Sequence, residues 1–177
     1  SNLLISPGKA MKLADFGLAK NYGEEEEKFT PACVTRWYRA PELLFGADKY
    51  GPSMDMWSCG CIFGELMLKA PLFPGDNDLD QLAKIFKMVG TPNEQNWPHA
   101  TLLRNYQEFE QCPPVEFKEI LTSASSDALN LLSQMLQLNP NKRITAQQAL
   151  NHPYFRNGQA PTSVEKLPCP KSMNNNV

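Results

Sequence analysis

Four stretches of the chain place apolar residues at helical spacing. The first, residues 53–68, is apolar on nearly every side, and Ser53 is a candidate N-cap. A helix of this kind belongs in the middle of a core. The second, Leu79–Val89, has one apolar face that includes Leu79, and it stops at Gly90.

Two further helices are predicted near the C-terminal end. One runs from about Ser126 to Leu138 and ends before Asn139-Pro140. The other begins at Thr145, where Gln148 stands at capping-box spacing.

The N-terminal region has a different pattern. Leu3–Ile5 and Met11–Leu13 are short apolar segments around Pro7-Gly8, which predicts a small β-hairpin. Residues 15–38 show no periodicity and include the acidic run Glu24 to Glu27, so we expect a long loop that is functional or disordered. The pattern predicts a mainly α fold with a small β element, a domain at residues 1–155 and an extended polar tail at residues 156–177.

Composition excludes several classes of protein. The net charge of -2 gives no overall attraction to nucleic acid or to an anionic membrane. No apolar run approaches the twenty or so residues of a membrane span. None of the five cysteines forms a C-x-x-C pair, which favours a reducing intracellular compartment. The chain opens without an initiator Met, so we expect it to be a piece of a longer protein.

Asp15-Phe16-Gly17 follows the second predicted strand, and Ala40-Pro41-Glu42 lies downstream. Phosphoryl transfer needs a carboxylate and a second oxygen donor to hold Mg²⁺ against nucleotide phosphates. Asp15 suits the first position, and Asn2 would lie at the same end of the hairpin. Alone, Asp-Phe-Gly would more often be a turn beside a core Phe. Combined with Asn2 and Ala-Pro-Glu at this spacing, that interpretation becomes improbable.

These motifs resemble the C-terminal lobe of eukaryotic Ser/Thr protein kinases, entered just after the catalytic-loop stretch H-R-D-L-K-P. The run Thr35 to Glu42 is similar to the group of cyclin-dependent and mitogen-activated kinases, and residues 75–82 and 90–98 look like cyclin-dependent kinases. Arg36, residues 43–47 and the tail are most similar to the CDK-activating kinases (CAK), which also serve the transcription factor TFIIH. The resemblance implies one half of a two-lobed α+β fold, with a long activation loop.

The resemblance also implies roles for single residues. Asn2 and Asp15 match the Mg²⁺ ligands, Thr30 matches the activating phosphorylation site, and Lys20 matches a basic partner of its phosphate. Thr35 matches a supporting catalytic residue that bridges the catalytic Asp and a substrate-contacting Lys, both absent from this chain. The platform for the residue after the phosphoacceptor, which is preferably Pro, would be Val34, Thr35, Arg36, Trp37, Tyr38 and Arg39.

The resemblance also implies structural roles for Glu42, Arg143 and Asp55. Glu42 and Arg143 match a buried ion pair that fastens the loop to the helical body. Asp55, on the first predicted helix, matches a buried residue that accepts backbone hydrogen bonds from the catalytic loop.

Two other features have simple explanations. An acidic run such as residues 24–27 is more often simply solvated than a docking site or a phosphate mimic. Cys59 and Cys61 face different ways and are expected to pack in the core.

The resemblance implies an ATP- and Mg²⁺-dependent nuclear kinase (also possible in the cytoplasm) that phosphorylates Ser or Thr in proteins. A cyclin and an assembly factor would bind mainly through the missing N-terminal lobe, with no direct nucleic-acid or membrane contact. This chain lacks the Gly-rich loop, the strand Lys, the helix-C Glu and the catalytic Asp, so alone it is predicted to be inactive. The alternative is a free-standing lobe that acts as a non-catalytic binding module.

Overall fold

A computed structural model describes residues 2–5, 11–17, 19, 35–157, 160, 162–163 and 166. The described residues fall into two compact units, one that contains the hairpin and one that contains residues 35–157. No helix in the described part of the chain has the length and apolar character to cross a bilayer.

The hairpin unit contains strands β1 (Leu3–Ile5) and β2 (Met11–Leu13). They pair antiparallel, with Leu3 opposite Leu13 and Ile5 opposite Met11. Both predicted strands are therefore confirmed at their predicted bounds.

The helical unit contains six α-helices in its described residues. They are α1 (Pro41–Leu44), α2 (Ser53–Leu68), α3 (Asp78–Val89), α4 (Phe117–Ile120), α5 (Ser126–Met135) and α6 (Ala146–Leu150). Single 3₁₀ turns lie at Arg36–Tyr38, Ala100–Leu102, Pro140–Lys142 and Pro153–Phe155.

Helix α2 lies at the centre of this unit, and α5 packs against it at Gly60. A Cβ at Gly60 would lie 2.9 Å from side-chain atoms of Met135 and Leu136, so the contact requires a residue without a side chain. Trp57 of α2 is fully buried and stacks on Phe73 with ring centroids 5.9 Å apart. Phe45 contacts a second aromatic group, formed by Phe86, Trp97, Tyr106 and Phe109.

Three predictions about buried residues were wrong. Helix α2 is not covered all round in the described structure, because Ile62 and Leu66 are exposed, Leu66 by 74%. Cys61 is buried as expected, but Cys59 is exposed. Leu79 is also exposed, since it lies in the first turn of α3, ahead of the buried residues Leu82, Ile85 and Phe86.

The observed helix boundaries test the predicted N-caps and C-terminal ends. Thr145 and Gln148 form the predicted capping box, and α3 ends at Gly90, which has a φ of 88°. Ser53 does not cap α2, because the N-cap position is Pro52. Helix α5 ends at Met135 rather than Leu138.

Candidate functional site

The open end of the hairpin carries Asn2 and Asp15. Leu3 pairs with Leu13, and the Ala14 amide donates to the Asn2 carbonyl at 2.9 Å, so the ribbon continues one residue beyond the strands. This register puts Asn2 and Asp15 at the same end, as the sequence predicts. Asp15 has a left-handed backbone with a φ of 65°, and its Oδ1 accepts a hydrogen bond from the Gly17 amide at 3.3 Å.

The donor set at this end suits a hard cation. A carboxylate and a carboxamide supply the oxygen ligands that Mg²⁺ prefers, and both residues are exposed to solvent. Phe16 is 66% exposed, so within the described structure it is not the core Phe of a simple turn. The donor chemistry of Asn2 and Asp15 therefore fits a hard cation such as Mg²⁺.

Residues 35–39 form a short platform on the helical unit. Thr35 is exposed and precedes the 3₁₀ turn Arg36–Tyr38. On one side, the Tyr38 hydroxyl donates to Glu65 Oε2 at 2.7 Å, and the Ser58 hydroxyl donates to the Tyr38 carbonyl at 2.8 Å. The hydrogen bond to Glu65, together with burial, raises the pKa of Tyr38 to about 12. Helix α2 thus holds this side of the platform.

The other side of the platform is held by the first residue of α3 and by the turn before that helix. Arg36 Nε lies 2.9 Å from Asp78 Oδ1, and its Nη1 donates to the Asp76 carbonyl at 3.1 Å. Arg39 Nη1 lies 3.6 Å from the same Asp78 oxygen. The Trp37 indole donates to the Gly75 carbonyl at 3.1 Å. Charged and polar contacts from two helices therefore fix the 3₁₀ turn.

Glu42 and Arg143 form a buried, bidentate ion pair. Arg143 Nη1 donates to Glu42 Oε1 at 2.8 Å and Nη2 donates to Oε2 at 3.0 Å. The other guanidinium hydrogens donate to the carbonyls of Ser53, Gln137 and Leu138. All five donors of Arg143 are used, and the guanidinium carbon lies 5.2 Å from the centre of the Trp57 ring.

Arg143 also binds the segment that follows α5. The Gln137 and Leu138 carbonyls accept hydrogen bonds from Arg143, and the Ile144 amide donates to the Gln134 carbonyl. Apolar residues continue at helical spacing to Leu138, but the helix ends at Met135 and the next carbonyls bond to this side chain.

Comparison with known proteins identifies the family. The protein kinase domain model matches residues 1–155. The chain belongs to the protein kinase family. It is 54% identical over 170 residues to Cyclin-dependent kinase 7 of Dictyostelium discoideum, covering 96% of this chain and 47% of that protein. It is 48% identical over 168 residues to the probable serine/threonine-protein kinase KIN28 homolog of Encephalitozoon cuniculi, covering 95% and 54% respectively.

A solved structure agrees with these relatives. The chain matches one in the structure of the CAK complex from Chaetomium thermophilum bound to ATP-gamma-S, with a TM-score of 0.89 and 40% identity. That match covers 94% of this chain and 53% of the other. The predicted resemblance to cyclin-dependent kinases of the CAK type is confirmed, and the chain spans about half the length of the curated relatives it matches.

Asp55 differs from its expected environment. We expected a buried carboxylate in this kinase, but Asp55 is exposed at the start of α2. No hydrogen bond from another described residue reaches its carboxylate, while partial desolvation raises its pKa. The difference follows from its position in the first turn of α2, where its side chain is accessible to solvent.

Several predicted kinase residues lie outside the described part of the chain. They are Lys20, the acidic run Glu24 to Glu27, Thr30 and Val34. Their roles remain predictions.

Sequence reasoning gave no role to four residues that support the platform. Ser58, Glu65, Asp78 and Gln81 all bond to residues 36–39. Ser58 and Gln81 adjoin the buried Trp57 and Leu82 in sequence, and a polar side chain at such a position is the available signal. Glu65 and Asp78 carry no such signal, because their neighbours Leu66 and Leu79 are exposed.

Proposed function

We propose that the chain is the C-terminal lobe of a cyclin-dependent Ser/Thr protein kinase of the CAK type. The observation that carries the proposal is the coexistence of two sites in one kinase-family chain. One is the oxygen-donor pair Asn2 and Asp15, and the other is the supported platform at residues 35–39. A protein that serves only as a scaffold has no chemical need for both.

In the parent kinase, the γ-phosphoryl group of ATP passes in line to a Ser or Thr hydroxyl, mainly by positioning and charge stabilisation. Asp15 and Asn2 would hold Mg²⁺, and the bound ion would supply positive charge to neutralise the phosphates. Thr35 supports the catalytic Asp, and residues 34–39 receive the residue after the phosphoacceptor, preferably Pro. Phosphate on Thr30, paired with Lys20, orders the activation loop.

The proposed substrates are other cyclin-dependent kinases and the C-terminal repeats of RNA polymerase II. A cyclin and an assembly factor bind mainly through the other lobe, and the kinase works in the nucleus. The ATP-gamma-S in the CAK complex structure supports ATP as the phosphoryl donor.

We expect the isolated chain to transfer no phosphate, because the groups that cover the phosphates and accept the hydroxyl proton in this family are not in it. Purified chain, radiolabelled ATP and a protein substrate test this expectation. Transfer that Asp15→Ala abolishes would show that the lobe is active alone.

The second candidate function is a free-standing binding module. The supported platform favours it, since residues 35–39 are held within one unit and could compete for substrates. Sequencing the transcript upstream of the Ser1 codon separates the two functions. An open frame that encodes H-R-D-L-K-P directly before Ser1 supports the kinase. An in-frame stop followed by a start codon near Ser1 would replace it with the binding module.

A further inference from the structure

Gln81 of α3 is a buried polar side chain to which neither the family motifs nor the proposed chemistry assigns a role. It is fully buried, with a relative exposure of 0%. A buried amide costs free energy unless its donor and acceptor are both used. A residue needed only for packing at this position would be apolar, so the bonds of Gln81 indicate what it does.

Both ends of the Gln81 amide are engaged across the platform. Its Oε1 accepts from the Gly75 amide at 2.9 Å, and its Nε2 lies 3.4 Å from the Trp37 carbonyl, to which it donates. The Trp37 indole in turn donates to the Gly75 carbonyl at 3.1 Å. Gly75 and Gln81, which are six residues apart, thus form a closed ring of hydrogen bonds with Trp37, which is 38 residues or more away in sequence.

Gly75 shows how tightly this ring is built. A Cβ at position 75 would lie 2.5 Å from Gln81 Oε1 and 2.6 Å from Gln81 Cα. Contacts this short do not occur, so the turn lies against α3 only because residue 75 is glycine. The close approach lets the short Gln81 side chain reach past the turn toward Trp37.

We propose that Gln81 is a positioning residue that fixes the main chain of Trp37, and with it the preference of the platform for Pro after the phosphoacceptor. This inference rests on the proposed function of residues 34–39. Gln81 does not touch the substrate. It holds the 3₁₀ turn directly, through its bond to the Trp37 carbonyl. It also acts indirectly, because it binds Gly75, whose carbonyl accepts from the Trp37 indole.

The test compares peptide selectivity with the hydrogen-exchange rate of the Trp37 indole, both measured on the full chain by NMR. The probes are a peptide with a central Ser-Pro and the same peptide with Ser-Ala. Gln81→Met keeps the volume and removes both bonds. Gln81→Glu keeps an acceptor for the Gly75 amide and removes the donor to Trp37. Gln137→Met is the matched control, since Gln137 Nε2 donates to the Ser133 carbonyl, away from the platform.

We expect Gln81→Met to lower the ratio of Ser-Pro to Ser-Ala affinity about tenfold and to speed Trp37 indole exchange by a similar factor. Gln81→Glu lowers the ratio and leaves the Gly75 amide protected. Gln137→Met changes neither quantity. The indole of Trp57, buried and without a hydrogen-bond partner among the described residues, reports whether the core stays folded. If Gln81→Met fails to fold, Gln81→Glu decides.

An unchanged selectivity ratio in the folded Gln81 variants would overturn the inference. If the unmodified chain shows no preference between the peptides, the proposed platform function fails instead. The Trp37 exchange rate then decides the role of Gln81 by itself. Faster exchange in the Gln81 variants alone supports the positioning role, and equal exchange overturns it.

Discussion

The two candidate sites are built in opposite ways. Residues 36–39 are held by hydrogen bonds and ion pairs from α2, α3 and the turn before α3. Asn2 and Asp15 lie exposed at the end of a two-stranded ribbon. A two-stranded hairpin is marginally stable by itself in water. Residues 36–39 are therefore held within their own unit, whereas Asn2 and Asp15 depend on a ribbon of three-residue strands.

The largest expected effect lies beneath the platform, at the Glu42–Arg143 pair. Glu42→Gln leaves a fully buried guanidinium without its counter-ion, and removing one member of a buried pair costs about 3–5 kcal/mol. Urea unfolding followed by circular dichroism measures the loss.

The half-exposed pair Lys84–Asp80 provides a matched control, and Lys84→Met should have a far smaller effect. Equal losses at the two pairs would contradict the view that burial gives the Glu42–Arg143 pair its importance.

Alkaline pH tests the hydrogen bond between Tyr38 of the platform and Glu65 of α2. The pKa of Tyr38 is about 12 in the folded protein, above its ordinary value of 10.0, because the neutral hydroxyl donates to Glu65. A raised folded pKa gives stability that is fully present below pH 10 and is lost as the pH rises toward 12. Partial exposure makes the loss smaller than the full shift would imply.

The measurement is the free energy of unfolding between pH 9 and 12 for the unmodified chain, Tyr38→Phe and the control Tyr154→Phe. We expect the stability advantage over Tyr38→Phe to shrink across this range. An advantage that stays constant to pH 12 would contradict the proposed hydrogen bond to Glu65.

The smallest expected effect concerns the exposed face of α2. Desolvation and the charge of Asp55 raise the pKa of Cys59, while burial raises that of Cys61 much further. Because the thiolate is the reactive form, iodoacetamide should modify Cys59 slowly and Cys61 hardly at all at pH 8.

Asp55→Asn should speed alkylation of Cys59 about twofold without changing Cys61. Mass spectrometry of timed samples gives both rates. Faster labelling of Cys61 than of Cys59 would show that the core around α2 is open.

The sequence predicted elements whose signals are local. The hairpin, the end of α3 at Gly90 and the Thr145–Gln148 capping box all depend on residues no more than ten positions apart in sequence. It failed at the end of α5, where Arg143, held by Glu42 from 101 residues away in sequence, binds the carbonyls of residues 137 and 138. The four-residue helices α1 and α4 are too short for a periodic signal.

The candidate site divides in the same way. Family motifs located Asn2, Asp15, Glu42 and Arg143, because each stands at a fixed place in a short pattern. They did not locate Glu65, and they gave no role to Asp78 or Gln81 within the pattern of residues 75–82. These three residues reach the platform from 27 to 44 residues away in sequence. Only a fold brings such residues together.

One NMR titration of the labelled chain tests the central proposal, that residues 35–39 bind a substrate peptide within their own unit whereas Asn2 and Asp15 of the isolated chain do not bind Mg²⁺ and ATP. Mg²⁺ and ATP are added first, followed by the Ser-Pro peptide. We predict saturable shifts of the amides of residues 35–39 with the peptide and none at Asn2 or Asp15 with Mg²⁺ and ATP. Saturable shifts at Asn2 and Asp15, with no response at residues 35–39, would contradict the account.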